Sequence, residues 1–113
     1  MSAIPIGQIA QPSVIIANGG TTSPAIPTEG APLVGVIFPA ALTSTTMTFT
    51  VCNTLSGTYV PLKNSSGAVS YTVAAGEYMA INASDFYGVT FFKIVLGSAE
   101  GAARTLILSL KGF

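Results

Sequence analysis

The chain has 113 residues with four Lys or Arg, four Asp or Glu and no His, so the formal net charge is zero and only 7% of residues are charged. A typical soluble domain carries about 25% charged residues, so a surface this poor in charge must consist of small polar residues or be buried against other chains. We favour burial, which predicts a homo-oligomer. A chain with zero net charge and four basic residues also lacks the basic stripe that binding to nucleic acid requires. The same charge balance does not favour binding to an anionic membrane surface, so neither partner is expected.

Residues 1–30 are predicted to form an extended Pro/Gly-rich arm, separate from a domain at residues 31–113. Four prolines within this segment exclude a helix and interrupt any sheet ladder. The segment nevertheless carries apolar anchors instead of the charges typical of a disordered tail. The arm could add an edge strand at 14–17 to its own domain or pair with a neighbouring subunit. The anchors expected to make intersubunit contacts are Ile4, Ile6, Ile9, Val14, Ile15 and Ile16.

The N-terminal residues Met1–Gly7 lack a basic region followed by a continuous apolar stretch, so no signal peptide is expected. The longest apolar run, residues 31–42, is about 12 residues long and contains two prolines, which is too short to span a bilayer. We therefore expect a protein that is made in a cytoplasm.

The centre of the domain is predicted to be a pair of strands at residues 33–38 and 46–51. The first is apolar throughout, whereas the second, TMTFTV, alternates small polar and large apolar residues with the period of a half-buried strand. Further strands are predicted at 58–62, 68–73, 77–81, 90–96 and 104–111, separated by Gly- and Asn-rich turns. Phe92, Ile94 and Leu96 should share one face, and Leu106, Leu108 and Leu110 should point inward. Single helical turns are conceivable near 84–87 and 99–103. The fold class predicted is all-β, an antiparallel β-sandwich of jelly-roll type.

The residue types present exclude most catalytic chemistry. Without histidine, no His-based triad or His metal site can form. The single Cys52 excludes a thiolate zinc site and is interpreted as a small packed strand residue. The carboxylates Glu29, Glu77, Asp85 and Glu100 stand in or beside turns and are interpreted as solvated charges. We therefore expect no enzyme, no cofactor and no metal.

The loop and aromatic residues offer two binding alternatives. Asn82, Ser84 and Asp85 offer oxygens to calcium, but one carboxylate is a weak site, and Asp85 is expected to cap its turn. A carbohydrate-binding module would need exposed aromatic faces, and the chain has no Trp. The aromatic residues that could serve are Tyr59, Tyr71, Tyr78, Phe86 and Tyr87, and packing is the favoured interpretation of all five.

Residues 33–113 resemble a group of small structural proteins of tailed bacteriophages. The resemblance is carried by LVGVIFPAAL, TMTFTVCNTLSGTYVPL, AAGEYMAINASDFYGVTFFKIVLGS and ARTLILSLK, in that order. The chain departs from the group at Asn53–Gly57, where a Ser/Asp-Asp-Gly turn is usual, and at Thr90–Phe92, where Arg-Tyr is common. Residues 1–30 match nothing in the group.

The resemblance implies a non-enzymatic virion protein, with capsid decoration as the preferred role. Such a protein would bind the major capsid protein or other virion proteins, favour a trimer and lie in the virion after synthesis in the host cytoplasm. The alternatives are a tail, neck or fibre module and, in a different class, a small carbohydrate-binding module using Tyr59, Tyr78 or Tyr87.

Overall fold

The computed structural model describes residues 7–112, which form two antiparallel sheets packed against each other. The predicted fold class, an antiparallel β-sandwich, is confirmed. The strands of the described part of the chain are β1 (Ile9–Ala10), β2 (Ser13–Ile16), β3 (Ile26–Pro27), β4 (Leu33–Ile37), β5 (Thr46–Cys52), β6 (Val60–Pro61), β7 (Lys63–Asn64), β8 (Gly67–Ala68), β9 (Ser70–Thr72), β10 (Tyr78–Ala80), β11 (Phe91–Leu96) and β12 (Arg104–Lys111).

The two sheets have a jelly-roll topology. In the first sheet β12 lies between β4 and the pair β1 and β2, with β10 beyond β4; in the second β11 lies between β3 and β5, and β5 also pairs with β6 and β9. Eight strands remain when the short strands β1 and β6 and the hairpin β7–β8 are set aside. The first sheet then has the order β2-β12-β4-β10 and the second the order β3-β11-β5-β9. If these eight strands are renumbered in chain order, the two sheets read 1-8-3-6 and 2-7-4-5. This is the two-sheet, double Greek-key arrangement of a jelly roll.

The described part of the segment expected to form an arm contributes to both sheets. Strands β1 and β2 pair with β12, and β3 pairs with β11. The sheets therefore include strands from both sides of the boundary predicted at residue 30. Of the two placements considered for residues 14–17, pairing on the chain's own domain is the one that β2 adopts. Pro27 of β3 is tolerated because β3 is an edge strand.

The core lies between the sheets and follows the predicted alternation. Phe92, Ile94 and Leu96 are fully or almost fully buried, as are Leu106 and the remaining inward residues of β12. Three rings from different elements meet edge to face at its centre: Phe49, Phe86 and Phe92, with centroids 5.0–6.2 Å apart. Edge-to-face pairs of this kind add about 0.5–1.5 kcal/mol each beyond the area that they bury.

Two local predictions need correction. The turn at 63–67 is part of a two-stranded hairpin, β7–β8. A short 3-10 helix spans Ala83–Phe86 near the predicted turn, but its N-cap is Asn82, whose side chain accepts hydrogen bonds from Ser84. The Asp85 carboxylate instead accepts a hydrogen bond from Asn64, 3.2 Å away. Asn takes the cap because the cap residue precedes the first helical residue, and Asp85 is already inside the turn.

Candidate interaction surface

The outer face of the first sheet carries a row of large apolar side chains. Ile107 on β12 lies opposite Ile37 on β4, and Ile37 lies opposite Tyr78 on β10. Directly opposed residues of antiparallel strands project to the same side of a sheet. The neighbours of Ile107 in sequence are buried, whereas Ile107 is 39% exposed. The row therefore faces away from the core.

Tyr78 lies across the sheet because β4 has a glycine beneath it. A Cβ atom on Gly35 would collide with the hydroxyl and the ring of Tyr78. Gly35 is opposite Ser109 on β12 and is buried although it lies on the outer face. The ring covers the glycine and remains 54% exposed. It thus presents a flat surface with an apolar body and a polar tip, a type of group that is common at protein interfaces.

Two of the anchors predicted from the sequence lie on the same side of the sheet as this row. Ile15 on β2 lies opposite Thr105, two residues from Ile107, and Ile9 on β1 lies opposite Lys111. The exposed fractions of Ile15 and Ile9 are 55% and 56%. We call the surface of Ile9, Ile15, Ile37, Tyr78 and Ile107 the apolar face.

The other predicted anchors are placed differently. Val14 and Ile16 point inward from β2 and are buried in the core of their own chain. They are therefore not accessible for intersubunit contacts in this fold. Ile4 and Ile6 lie outside the described residues. The apolar composition of residues 1–30 predicted Ile9 and Ile15 as anchors. It did not predict Ile37, Tyr78 and Ile107, because these three residues become neighbours only through the pairing of β10, β4 and β12.

The outer face of the second sheet is polar along β5 and β9, whereas Phe91 and Val95 of β11 also project outward and are half-buried. Thr46, Thr48 and Thr50 project outward from β5, where Thr48 lies opposite Ser70 and Thr50 lies opposite Lys93. The ammonium group of Lys93 lies 4.4 Å from the centroid of the Tyr59 ring. Tyr59 also donates a hydrogen bond from its hydroxyl to the Leu55 carbonyl, at 2.8 Å. We call this surface the threonine face.

A shallow cavity of about 270 Å³ lies beside this face, between the end of β5 and the start of β11. Cys52 lines it and is half-buried, and its thiol is 3.7 Å from the Thr54 hydroxyl. Hydrogen bonding from the Thr54 N–H lowers the pKa of the Cys52 thiol. The carboxylates do not gather into a cluster here: the described residues contain no group of three or more His, Cys, Asp or Glu side chains that could hold a metal.

Glu100 contradicts the interpretation of all four carboxylates as solvated. Its side chain is almost completely buried, with 1% of the residue exposed. Its two oxygens accept hydrogen bonds from the Thr43 N–H at 2.8 Å, the Ser44 N–H at 2.9 Å and the Ser44 hydroxyl at 2.6 Å. The Arg104 guanidinium completes the set with an ion pair of 2.8 Å.

The environment of Glu100 favours its charged form. Burial by itself raises the pKa of Glu100, but the hydrogen bonds from Ser44, Thr43 and Arg104 outweigh it and lower the pKa from 4.5 to about 2. Each polar atom of the carboxylate is satisfied within the protein, so the group has a structural role. It connects the β4–β5 loop to the β11–β12 loop, and both loops pass from one sheet to the other.

Four of the five aromatic residues considered for sugar binding do not converge. Tyr78 lies on the apolar face, whereas Tyr59 contacts Lys93 on the opposite side of the sandwich. Phe86 is buried, and the Tyr71 hydroxyl accepts a hydrogen bond from the Asn82 N–H. The candidate site with the best physical support is therefore the apolar face.

Comparisons with known proteins leave the resemblance to phage proteins as a prediction. No family model, no curated protein and no solved structure matches the chain. In the described part of the chain no helix is long and apolar enough to cross a membrane.

Proposed function

We propose that this protein is a non-enzymatic structural component of a phage virion, and that it decorates the capsid shell by docking its apolar face on the major capsid protein. The observation that carries the proposal is the row formed by the exposed Tyr78 and Ile107 with the half-buried Ile37 between them, on a chain with no net charge. Contiguous exposed apolar surface is characteristic of interaction sites. The jelly-roll topology, which occurs in viral capsid domains, supports the proposal by analogy of fold alone.

The size of the effect can be bounded from the exposed fractions. Burying such a side chain completely stabilises a complex by roughly 1.5–3 kcal/mol. Tyr78, Ile9 and Ile15 are already about half covered, so docking adds about half of that for each. Association itself costs roughly 4–15 kcal/mol. A single copy would therefore be weakly held, and stable decoration would require several contacts acting together.

A pair of charge substitutions tests the face. Ile107→Lys should abolish binding to purified shells, because the ammonium group would have to lose its water against an apolar partner. Thr48→Lys places the same charge on the threonine face and should leave binding unchanged. Thermal unfolding of both variants verifies that they are folded. Full occupancy of shells by Ile107→Lys would refute docking through the apolar face.

Copy number distinguishes decoration from a tail, neck or fibre role. The protein is quantified against the shell protein in purified particles of the phage that encodes it. A copy number comparable to that of the shell protein supports decoration, whereas a number far below it supports a tail, neck or fibre part. Absence from the particles would refute a virion role. Deletion of residues 1–30 is unsuitable as a test because it also removes β1, β2 and β3.

A further inference from the structure

Strand β2 forms an open edge of the first sheet. It pairs with β12 on one side, and within the described residues no strand lies on its other side. The Leu108 N–H donates to the Pro12 carbonyl, which marks residues 12 and 108 as a hydrogen-bonded pair. Hydrogen-bonded pairs alternate along an antiparallel ladder, so Val14 and Ile16 also bond to β12. The backbone N–H and C=O groups of Ser13 and Ile15 consequently point away from the sheet.

Within β2 itself this edge lacks the features that normally prevent strands from pairing, although Pro12 directly precedes the strand. Natural edge strands are protected by charged side chains, bulges, prolines or covering loops. Strand β2 reads SVII, contains no charge and pairs with β12 without a register shift. The other edge of the same sheet, β10, is preceded directly by the exposed Glu77. The two edges of the sheet therefore differ in how easily a further strand could be added.

An apolar groove of about 410 Å³ lies next to the open edge. Its walls are the edge strands of both sheets, β2 and β3. They are lined mainly by Pro12, Ile15, Pro24, Ile26 and Pro27. A strand that bonds to β2 would therefore also cover apolar surface, so the edge offers hydrogen bonds and hydrophobic burial at one place.

We propose that the occupant of this edge is a second copy of the chain, paired β2 to β2 in antiparallel orientation about a two-fold axis at Val14. Ser13 of one copy then lies opposite Ile15 of the other, and the two residues exchange backbone hydrogen bonds on each side of the axis. The pairing joins the first sheets of two copies into one continuous sheet.

Charge and self-complementarity favour a second copy over another partner. When two copies of β2 pair in antiparallel orientation, each outward backbone N–H of one copy meets a backbone C=O of the other. Two copies with zero net charge do not repel one another, and strand β2 has no charge that a basic or acidic partner could recognise.

The area required also points to the groove. A stable interface buries about 800 Å² per partner, which is about a seventh of the 5811 Å² accessible surface of this chain. The outward backbone groups of Ser13 and Ile15 cannot bury this area alone. The apolar grooves of the two copies must therefore also pack against each other. The dimer places both apolar faces on one side of the joined sheet. This inference does not rest on the proposed function, although it would provide the second contact that shell binding requires.

A mixing experiment tests both the partner and the register. In a Cys52→Ser background, Ser13→Cys and Ile15→Cys are made as separate variants and oxidised alone and as a mixture. The mixture should form a disulfide-linked dimer, because position 13 of one copy faces position 15 of the other. Each variant alone should not, since the like positions are offset by two residues, about 8 Å between Cα atoms, beyond the range of a disulfide. Thr105→Cys mixed with Ser13→Cys is the matched control.

Sedimentation of the unmodified protein gives the independent readout. We expect a concentration-dependent dimer, and Ile15→Lys should raise its dissociation constant more than about tenfold through like charges at the axis. Ile107→Lys, one strand inside the sheet, should leave the dimer intact. A monomer at all concentrations, a trimer, or equal cross-linking in the single variants and the mixture would each overturn the proposal. Failure of shell binding with an intact dimer would count against the proposed function alone.

Discussion

The two outer faces of this sandwich come from strands with the same alternation and differ in the residues that they present. On the apolar face the outward positions hold isoleucine and tyrosine, and Gly35 allows the Tyr78 ring to lie flat on the sheet. On the threonine face the outward positions of β5 are threonines, and Lys93 is engaged by Tyr59. The inward alternation secures the fold in both sheets. The outward half of the same alternation is free to specify what each face contacts.

The two faces are joined at one buried charge. The Glu100 carboxylate connects two loops that each cross between the sheets. It is the only buried charged side chain among the described residues. Whatever loosens this connection should disturb both faces together, whereas changes on one face should leave the other intact.

The largest expected effect is the loss of this connection. Glu100→Ala should lower the free energy of unfolding by about 3 kcal/mol, because two backbone N–H groups, a hydroxyl and a guanidinium lose their acceptor. We choose the lower end of the range for buried pairs since the Arg104 side chain is 15% exposed and can reach water. Urea denaturation measures the change. Glu77→Ala, at an exposed carboxylate, is the control and should stay within about 0.5 kcal/mol; equal effects would show that Glu100 is not a structural link.

A second effect follows from the pKa of Glu100. Because its pKa in the folded protein is lowered to about 2, its contribution is complete above the unfolded value near 4.5 and is lost as the pH falls toward 2. The native protein should lose stability across this interval more steeply than Glu100→Gln, which cannot titrate there. Urea midpoints measured between pH 5 and 2 check this. Parallel pH profiles of the two proteins would contradict a charged, hydrogen-bonded Glu100.

Glu100 marks the limit of what the sequence could predict. The strands and their inward rows were predictable since a period of two is a local signal, as at Phe92, Ile94 and Leu96. In Gly97–Gly101, by contrast, Glu100 looks like an ordinary turn charge. Its partners Thr43 and Ser44 are more than fifty residues away, and only Arg104, four residues on, gave a nearby hint.

The apolar face was predictable in part. Ile9 and Ile15 could be recognised as unusual in a proline-rich segment, but the same reasoning selected Val14 and Ile16, which the alternation of β2 turns inward. Tyr78 and Ile37 become neighbours only through the pairing of β4 with β10. Such pairing depends on the order of strands in the sheet, which no local pattern contains.

A smaller change should disturb the apolar face alone. Gly35→Ala would place a methyl group where the Tyr78 ring lies and should force the ring off the sheet. The expected cost is about 1 kcal/mol, at the low end for overpacking, since the exposed ring can rotate toward solvent. A double-mutant cycle with Tyr78→Ala checks the cause by urea denaturation. Additive costs of the two substitutions would mean that the ring does not rest on Gly35.

The smallest expected effect lies on the threonine face. Lys93→Met should lower the free energy of unfolding by about 0.5–1 kcal/mol through loss of the cation–π contact with Tyr59. Lys63→Met, on the exposed hairpin, is the matched control and should cost less. Lys93→Met also makes the threonine face more apolar, and it leaves the apolar face unaltered. If adding Ile107→Lys to Lys93→Met abolishes shell binding, the arrangement of side chains on the apolar face selects the partner. If the double variant still binds shells, apolar surface of any shape is sufficient.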